Sequence, residues 1–266
     1  MFIFSYVIRI IDIFVLNSPA SPRSIILSKT LPLLVLFYVV MRIEKVGLEY
    51  IGLSGKQMAG NFFLGAILLF FTLGYNYVPD MILNIFYNTP LNKLQFLFDW
   101  GVAYYLFFCL VNGFMEEGVF RGYLQKKFYV VGKWNAIFIQ AFLFGTWHVA
   151  WTFYNFYNFF SHSWMVNASY ATEYTIGYVF FTFIFGIIMG YAFLKTGSLW
   201  GPVFCHTFYN FIQNFFMPNA GAVAELIRFL GYPVMAAVCL LVVKFVTEKM
   251  KMEEEENAPN PSSTAL

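Results

Sequence analysis

Seven stretches of this chain are apolar over roughly the 20 residues that a helix needs to cross the hydrocarbon of a bilayer. They run over 25–41, 59–78, 100–115, 134–151, 174–194, 199–216 and 226–246. Charged residues lie mainly between them. Of the 266 residues, 60% are apolar and 11% charged, against about 45–50% and 25% in soluble domains. One soluble globule of this size cannot bury so much apolar surface. The expected fold is all-α, a polytopic membrane bundle of about seven to eight transmembrane helices, multi-pass and integral to the membrane.

The ends of the chain read differently. Segment 1–16 is apolar but carries Arg9 and Asp12 at its centre. A charge inside the apolar stretch, rather than before it, is unlike a cleaved leader. The segment is read as a helix lying in the interface, with an eighth span as the alternative. Residues 81–87 are too few to cross and are read as an interfacial turn. From Lys251 the chain is polar, with four glutamates at 253–256 and two prolines, and reads as a disordered acidic tail. With seven spans, eleven Lys and Arg fall on one side, among them Arg42, Lys126 and Lys244, and five on the other: Arg9, Arg23, Lys29, Lys93 and Arg228. The positive-inside rule then puts the C-terminus in the cytoplasm. A net charge of +2 carries no nucleic-acid signature. Cys109, Cys205 and Cys239 lie in apolar runs and read as small hydrophobes.

In such a chain the informative side chains are ionisable groups embedded in apolar runs, each costly in hydrocarbon. They are Glu116, Glu117 and Arg121 after the third span, His148 in the fourth, and His206 with Asn210 in the sixth. His162 falls in the loop after the fourth span and reads as solvated. Glu117 and Arg121, at i, i+4, face each other on one helix surface. Arg121 is therefore expected to neutralise and hold Glu117, leaving Glu116, about 100° further round the helix, for another role. Phe144 with His148, and His206 with Asn210, repeat the spacing. If the chain turns near Gly132, the helical rise puts Glu116 and His148 roughly 18 and 21 Å from that turn. His206 lies roughly 16 Å from Lys195 on the same side. Three spans thus bring polar groups to one depth. Gly118 with Gly122, and Gly186 with Gly190, are small-xxx-small pairs that serve packing, and Gly145 admits a neighbouring helix.

The stretches MEEGVFRGYL, FLFGTWHVAW and FCHTFYNF, in that order, resemble the motifs EExxxR, FxxxH and HxxxN. These belong to the CPBP family, the CAAX-protease and bacteriocin-processing intramembrane proteases, also called the Abi family. The matches fall at Glu116, Glu117 and Arg121, at Phe144 and His148, and at His206 and Asn210, with no motif position departing. The resemblance covers roughly residues 100–216. It implies an intramembrane endopeptidase of the CAAX prenyl endopeptidase type, acting on a membrane-associated or prenylated protein or peptide among membrane lipids. Glu116 and His148 would activate water, His206 and Asn210 would form an oxyanion hole, and Glu117, Arg121 and Phe144 would support them, with no cofactor. The chemistry is suitable in its own right: peptide hydrolysis needs a base for water and donors aimed at the developing oxyanion.

Three other readings use the same residues. Glu116, His148 and His206 form an acceptable zinc ligand set with water in the fourth position. Glu117 would then have to serve as base, which breaks its pairing with Arg121. A non-enzymatic immunity or scaffold protein would bind a partner through the same cavity. A proton-coupled transporter would need a repeated pair of broken helices, which the sequence lacks. The organisation expected is an interfacial helix over 1–24, peripheral spans over 25–98, a catalytic core of four spans over 99–216, a last span over 217–250 and the tail over 251–266.

Overall fold

A backbone in hydrocarbon must satisfy its own hydrogen bonds, and helices do so within one segment. The computed structural model describes residues 1–16, 25–87, 100–162, 176–213 and 222–256, and among these there is no strand. Helix α1 (Phe2–Ile10) continues as π-helical turns over Ile11–Val15. Helix α2 (Leu31–Tyr38) has π-helical turns at both ends, Ile25–Thr30 and Val39–Ile43. Next come α3 (Met58–Tyr87) and α4 (Trp100–Glu117), the latter extended by π-helical turns over Gly118–Gln125. The remainder are α5 (Lys133–His162), α6 (Tyr178–Thr196), α7 (Trp200–Gln213) and α8 (Ala222–Glu256).

Among the described residues four helices are long and apolar enough to cross a membrane: Met58–Phe86, Lys133–Tyr154, Tyr178–Thr196 and Leu226–Met252. The protein is an integral membrane protein. The other three expected spans, over 25–41, 100–115 and 199–216, are helical where described but do not reach that length and apolarity. The first carries Lys29, the second leads directly into the paired glutamates, and the third carries His206 with Asn210.

Two boundaries differ from expectation. Residues 81–87 form no separate turn, because α3 runs unbroken through Pro79 to Tyr87. Arg228 of α8 bridges the proline turn: its Nε donates to the Asn76 carbonyl at 3.0 Å and its Nη2 to Asp80 at 2.8 Å. Helix α8 extends to Glu256, into the segment read as a tail, and residues 257–266 lie outside the described residues. Helix α5 runs to His162, whose side chain is also outside them.

The helices pack in pairs that set up the site. Helix α5 lies on α6, α6 on α8, α8 on α3, α3 on α7, and α7 on α4, while the turns 25–30 cover α4. Glycines permit the closest crossings. A Cβ on Gly65 would meet the Gly201 carbonyl at 2.6 Å, and one on Gly186 would meet the Ala141 Cα at 2.9 Å. Buried Gln140 and Gln125 donate to the carbonyls of Gly186 and Gly190 at 2.8 and 2.9 Å, tying α5 and the π-helical turns to α6. Gly132, at φ +100°, a region open to glycine, turns the chain back from α4 into α5.

Candidate active site

The centre lies where the C-terminal end of α4 meets the middles of α5 and α7. Glu116, Glu117, Arg121, His148 and His206 are all buried there. Oε2 of Glu116 faces two imidazoles, His148 Nε2 at 3.8 Å and His206 Nε2 at 3.6 Å. Groups from three helices, separated by 32 and 58 residues in sequence (116 to 148, 148 to 206), converge on one oxygen.

Glu117 is held on the other side of His206. Its Oε1 lies 2.6 Å from His206 Nδ1 and 3.2 Å from Arg121 Nη1, the latter being the expected i, i+4 pair. Arg121 sits in the π-helical turns, a local widening often found at functional sites. Its guanidinium stacks 4.1 Å above the Phe144 ring. Phe144 also meets His148 and His206 edge-on, at centroid distances of 4.7 and 5.9 Å, and so forms an apolar floor under both imidazoles.

The second nitrogen of each imidazole is fixed by its partner. His148 Nδ1 lies 2.8 Å from the Phe144 carbonyl, which can only accept, so Nδ1 carries the proton and a neutral ring presents a lone pair at Nε2. His206 Nδ1 donates to the Glu117 carboxylate in the same way. Tyr178 packs edge-on against His148 at 5.4 Å, and Phe185 against His206 at 5.4 Å. Asn210 lies one turn beyond His206 on α7 and is half-buried; its carbonyl accepts from Tyr105 at 3.4 Å.

Glu116 is not left alone, as its own helix suggested. Its Oε1 accepts from Trp147 Nε1 at 3.0 Å and from Lys29 Nζ at 3.2 Å, with Arg9 Nη1 at 3.9 Å. The sequence reading missed all three. Lys29 could have been found by the rule that singled out Glu116, since it too is a charge within an apolar run. Arg9 and Asp12 turn into the protein rather than toward headgroups. Trp147 has no spacing signal beyond its place beside His148.

Among the described residues no group of three His, Cys, Asp or Glu is arranged to hold a metal. Beside Glu116, the Lys29 ammonium and the Arg9 guanidinium already supply positive charge, and Glu117 is engaged by His206 and Arg121. A zinc ion there would add a third cation next to two, and its base would have to leave two partners.

Residues 98–212 match the family model described as type II CAAX prenyl endopeptidase Rce1-like. No curated protein and no solved structure matches the chain. The matched segment contains every residue of the three motifs, and it excludes Arg9 and Lys29.

Proposed function

We propose that the chain is an intramembrane endopeptidase of the CPBP/CAAX protease family, a reading supported by the Rce1-like match over residues 98–212, and that it removes the C-terminal residues of prenylated, membrane-associated substrates through a water activated by Glu116. The observation that carries this reading is the approach of two imidazole Nε2 atoms to the same carboxylate oxygen, at 3.6 and 3.8 Å.

A water between Glu116 Oε2 and His148 Nε2 has an acceptor for each of its protons. Glu116 takes one as the oxygen attacks the scissile carbonyl, and His148 orients the water through the other. The carbonyl oxygen becomes an oxyanion, which needs donors already in place. His206 supplies one at Nε2 when it is imidazolium, a form that Glu117 stabilises through Nδ1, much as the carboxylate of a hydrolase triad stabilises its histidine. Asn210 supplies the other from the same face of α7. The proton held by Glu116 then passes to the leaving nitrogen as the C–N bond breaks. Peptide and water become a carboxylic acid and an amine, and Glu116 is returned ionised.

Orientation follows from charge. Three of the five cations assigned to the far side, Arg9, Lys29 and Arg228, are buried in the bundle. That leaves Arg23 and Lys93 there, against ten on the opposite side once buried Arg121 is also removed (eleven minus one). The asymmetry favours a cytoplasmic C-terminus, with seven to eight crossings in all.

Mass spectrometry of a prenylated peptide library incubated with purified protein tests the activity. Loss of a C-terminal peptide at one fixed distance from the prenylated cysteine is expected. An untouched library, together with full complementation of a null strain by Glu116→Gln, would instead mark a binding protein.

A further inference from the structure

Glu116 offers its two oxygens to two different kinds of neighbour. Oε1 is held by Trp147, Lys29 and Arg9, at 3.0, 3.2 and 3.9 Å. Oε2 is turned toward His148 and His206. Of the three groups on Oε1, only Trp147 lies within the family-matched segment. Arg9 comes from α1, and Lys29 from the π-helical turns before α2.

The cations are themselves ordered. Arg9 lies 4.7 Å and Lys29 5.9 Å from the Trp147 ring centroid, within reach of its negative π face. Tyr6 of α1 packs on the same ring at 6.1 Å. Asp12, in the π-helical turns that continue α1, is buried as well. Among the described residues six charged side chains are buried in this region: Arg9, Lys29 and Arg121 against Asp12, Glu116 and Glu117. Three of each sign cancel when both imidazoles are neutral. An ionised carboxylate as buried as Glu116 would be very costly without such partners.

We infer that Lys29, with Arg9 beside it, is a positioning residue of the active site: the N-terminal segment supplies the counter-charge that keeps Glu116 ionised and pins Oε1, so that Oε2 is presented to the nucleophilic water. The inference rests on the peptidase reading above. A merely structural ion pair would tie α1 and the 25–30 turns to the bundle and affect folding alone. A positioning pair affects turnover in a folded protein.

The test uses purified full-length protein in detergent and a farnesylated fluorogenic peptide ending in a Cys-aliphatic-aliphatic-X sequence. Lys29→Ala is expected to lower kcat about 10- to 100-fold while KM stays within about twofold. Arg9→Met lowers it by a smaller factor, since its guanidinium is further from Oε1. Lys29→Arg retains most of the turnover, and ethylammonium restores part of it to Lys29→Ala while leaving Glu116→Gln inactive. If Lys29→Ala does not fold, Asp12→Asn combined with Lys29→Met removes one charge of each sign. That variant is expected to fold and to show the same loss of kcat. A folded Lys29→Ala or double variant with kcat within about twofold of wild type overturns the proposal. So does a loss that neither Lys29→Arg nor ethylammonium repairs. The peptidase reading fails separately, if the wild-type protein leaves the peptide intact.

Discussion

His206 Nδ1 lies 2.6 Å from Glu117 Oε1, and the same oxygen is held by Arg121 at 3.2 Å. The second glutamate of the pair thus faces away from the reacting centre and acts on it through an imidazole. Adjacent carboxylates on one helix acquire separate tasks because successive residues point about 100° apart. In the proposed reaction Glu116 meets the water, and Glu117 sets the charge and orientation of the oxyanion donor.

Glu117→Gln keeps the shape and removes the charge that stabilises an imidazolium at His206. Turnover of the farnesylated peptide should fall about 100-fold, with KM nearly unchanged. Arg121→Met leaves Glu117 buried beside His206 alone and should lower stability by about 3–5 kcal/mol, read by thermal unfolding in detergent.

Trp147→Phe removes one donor from Glu116 Oε1 while keeping an aromatic ring beneath Arg9 and Lys29. A hydrogen bond to a charged group of this kind is worth about 1.5–3 kcal/mol. If most of that holds the productive rotamer, kcat falls about 10-fold or more with little change in melting. An unaltered kcat would show that Lys29 alone suffices.

The ion pair between Arg228 and Asp80 lies away from the site, where α8 crosses α3. It continues into the bundle through Asn76, which donates to the Tyr209 hydroxyl, a group that also accepts from Gln213 at 2.7 Å. Arg228→Met should cost about 3–5 kcal/mol by leaving Asp80 buried with its main partner gone. Arg228→Met with Asp80→Leu should recover much of that loss, since apolar replacements of a buried pair are often neutral. Unfolding of both variants in detergent decides it.

Removal of metals discriminates between the two uses of Glu116, His148 and His206. Activity should survive exhaustive chelation by phenanthroline and EDTA, because Lys29 and Arg9 provide the positive charge beside Glu116. Loss on chelation and return with zinc would make these residues ligands and Glu117 the base.

Much of the candidate site was legible because the rule that exposes it is severe. Ionisable groups in apolar runs are few, and helical rise alone set Glu116 and His148 at one depth; they stand 3.8 Å apart. The i, i+4 spacing gave Glu117 with Arg121. What stayed hidden depends on tertiary approach. Lys29 sits near the start of its apolar run, so it counted as a loop charge, and only the packing of the 25–30 turns against α4 carries it to Glu116. Arg9 and Asp12, three residues apart, marked a polar face on α1 without saying whether headgroups or protein would meet it. Residues 81–87 stood apart from the second span in sequence, yet the helix runs through Pro79, and a guanidinium from a helix some 150 residues later donates to Asn76 and Asp80 on either side of it. The π-helical turns over Gly118–Gln125 leave no periodic trace in so short a segment.

The most direct measurement is the rate at which purified protein releases the C-terminal tripeptide from a farnesylated peptide, wild type against Glu116→Gln, with peptide binding followed in parallel. Glutamine preserves volume and the contacts of a carbonyl oxygen but cannot take a proton from water. A fall of roughly 1,000-fold in turnover with binding retained is the predicted result. Cleavage by Glu116→Gln within about tenfold of wild type would contradict a Glu116-activated water.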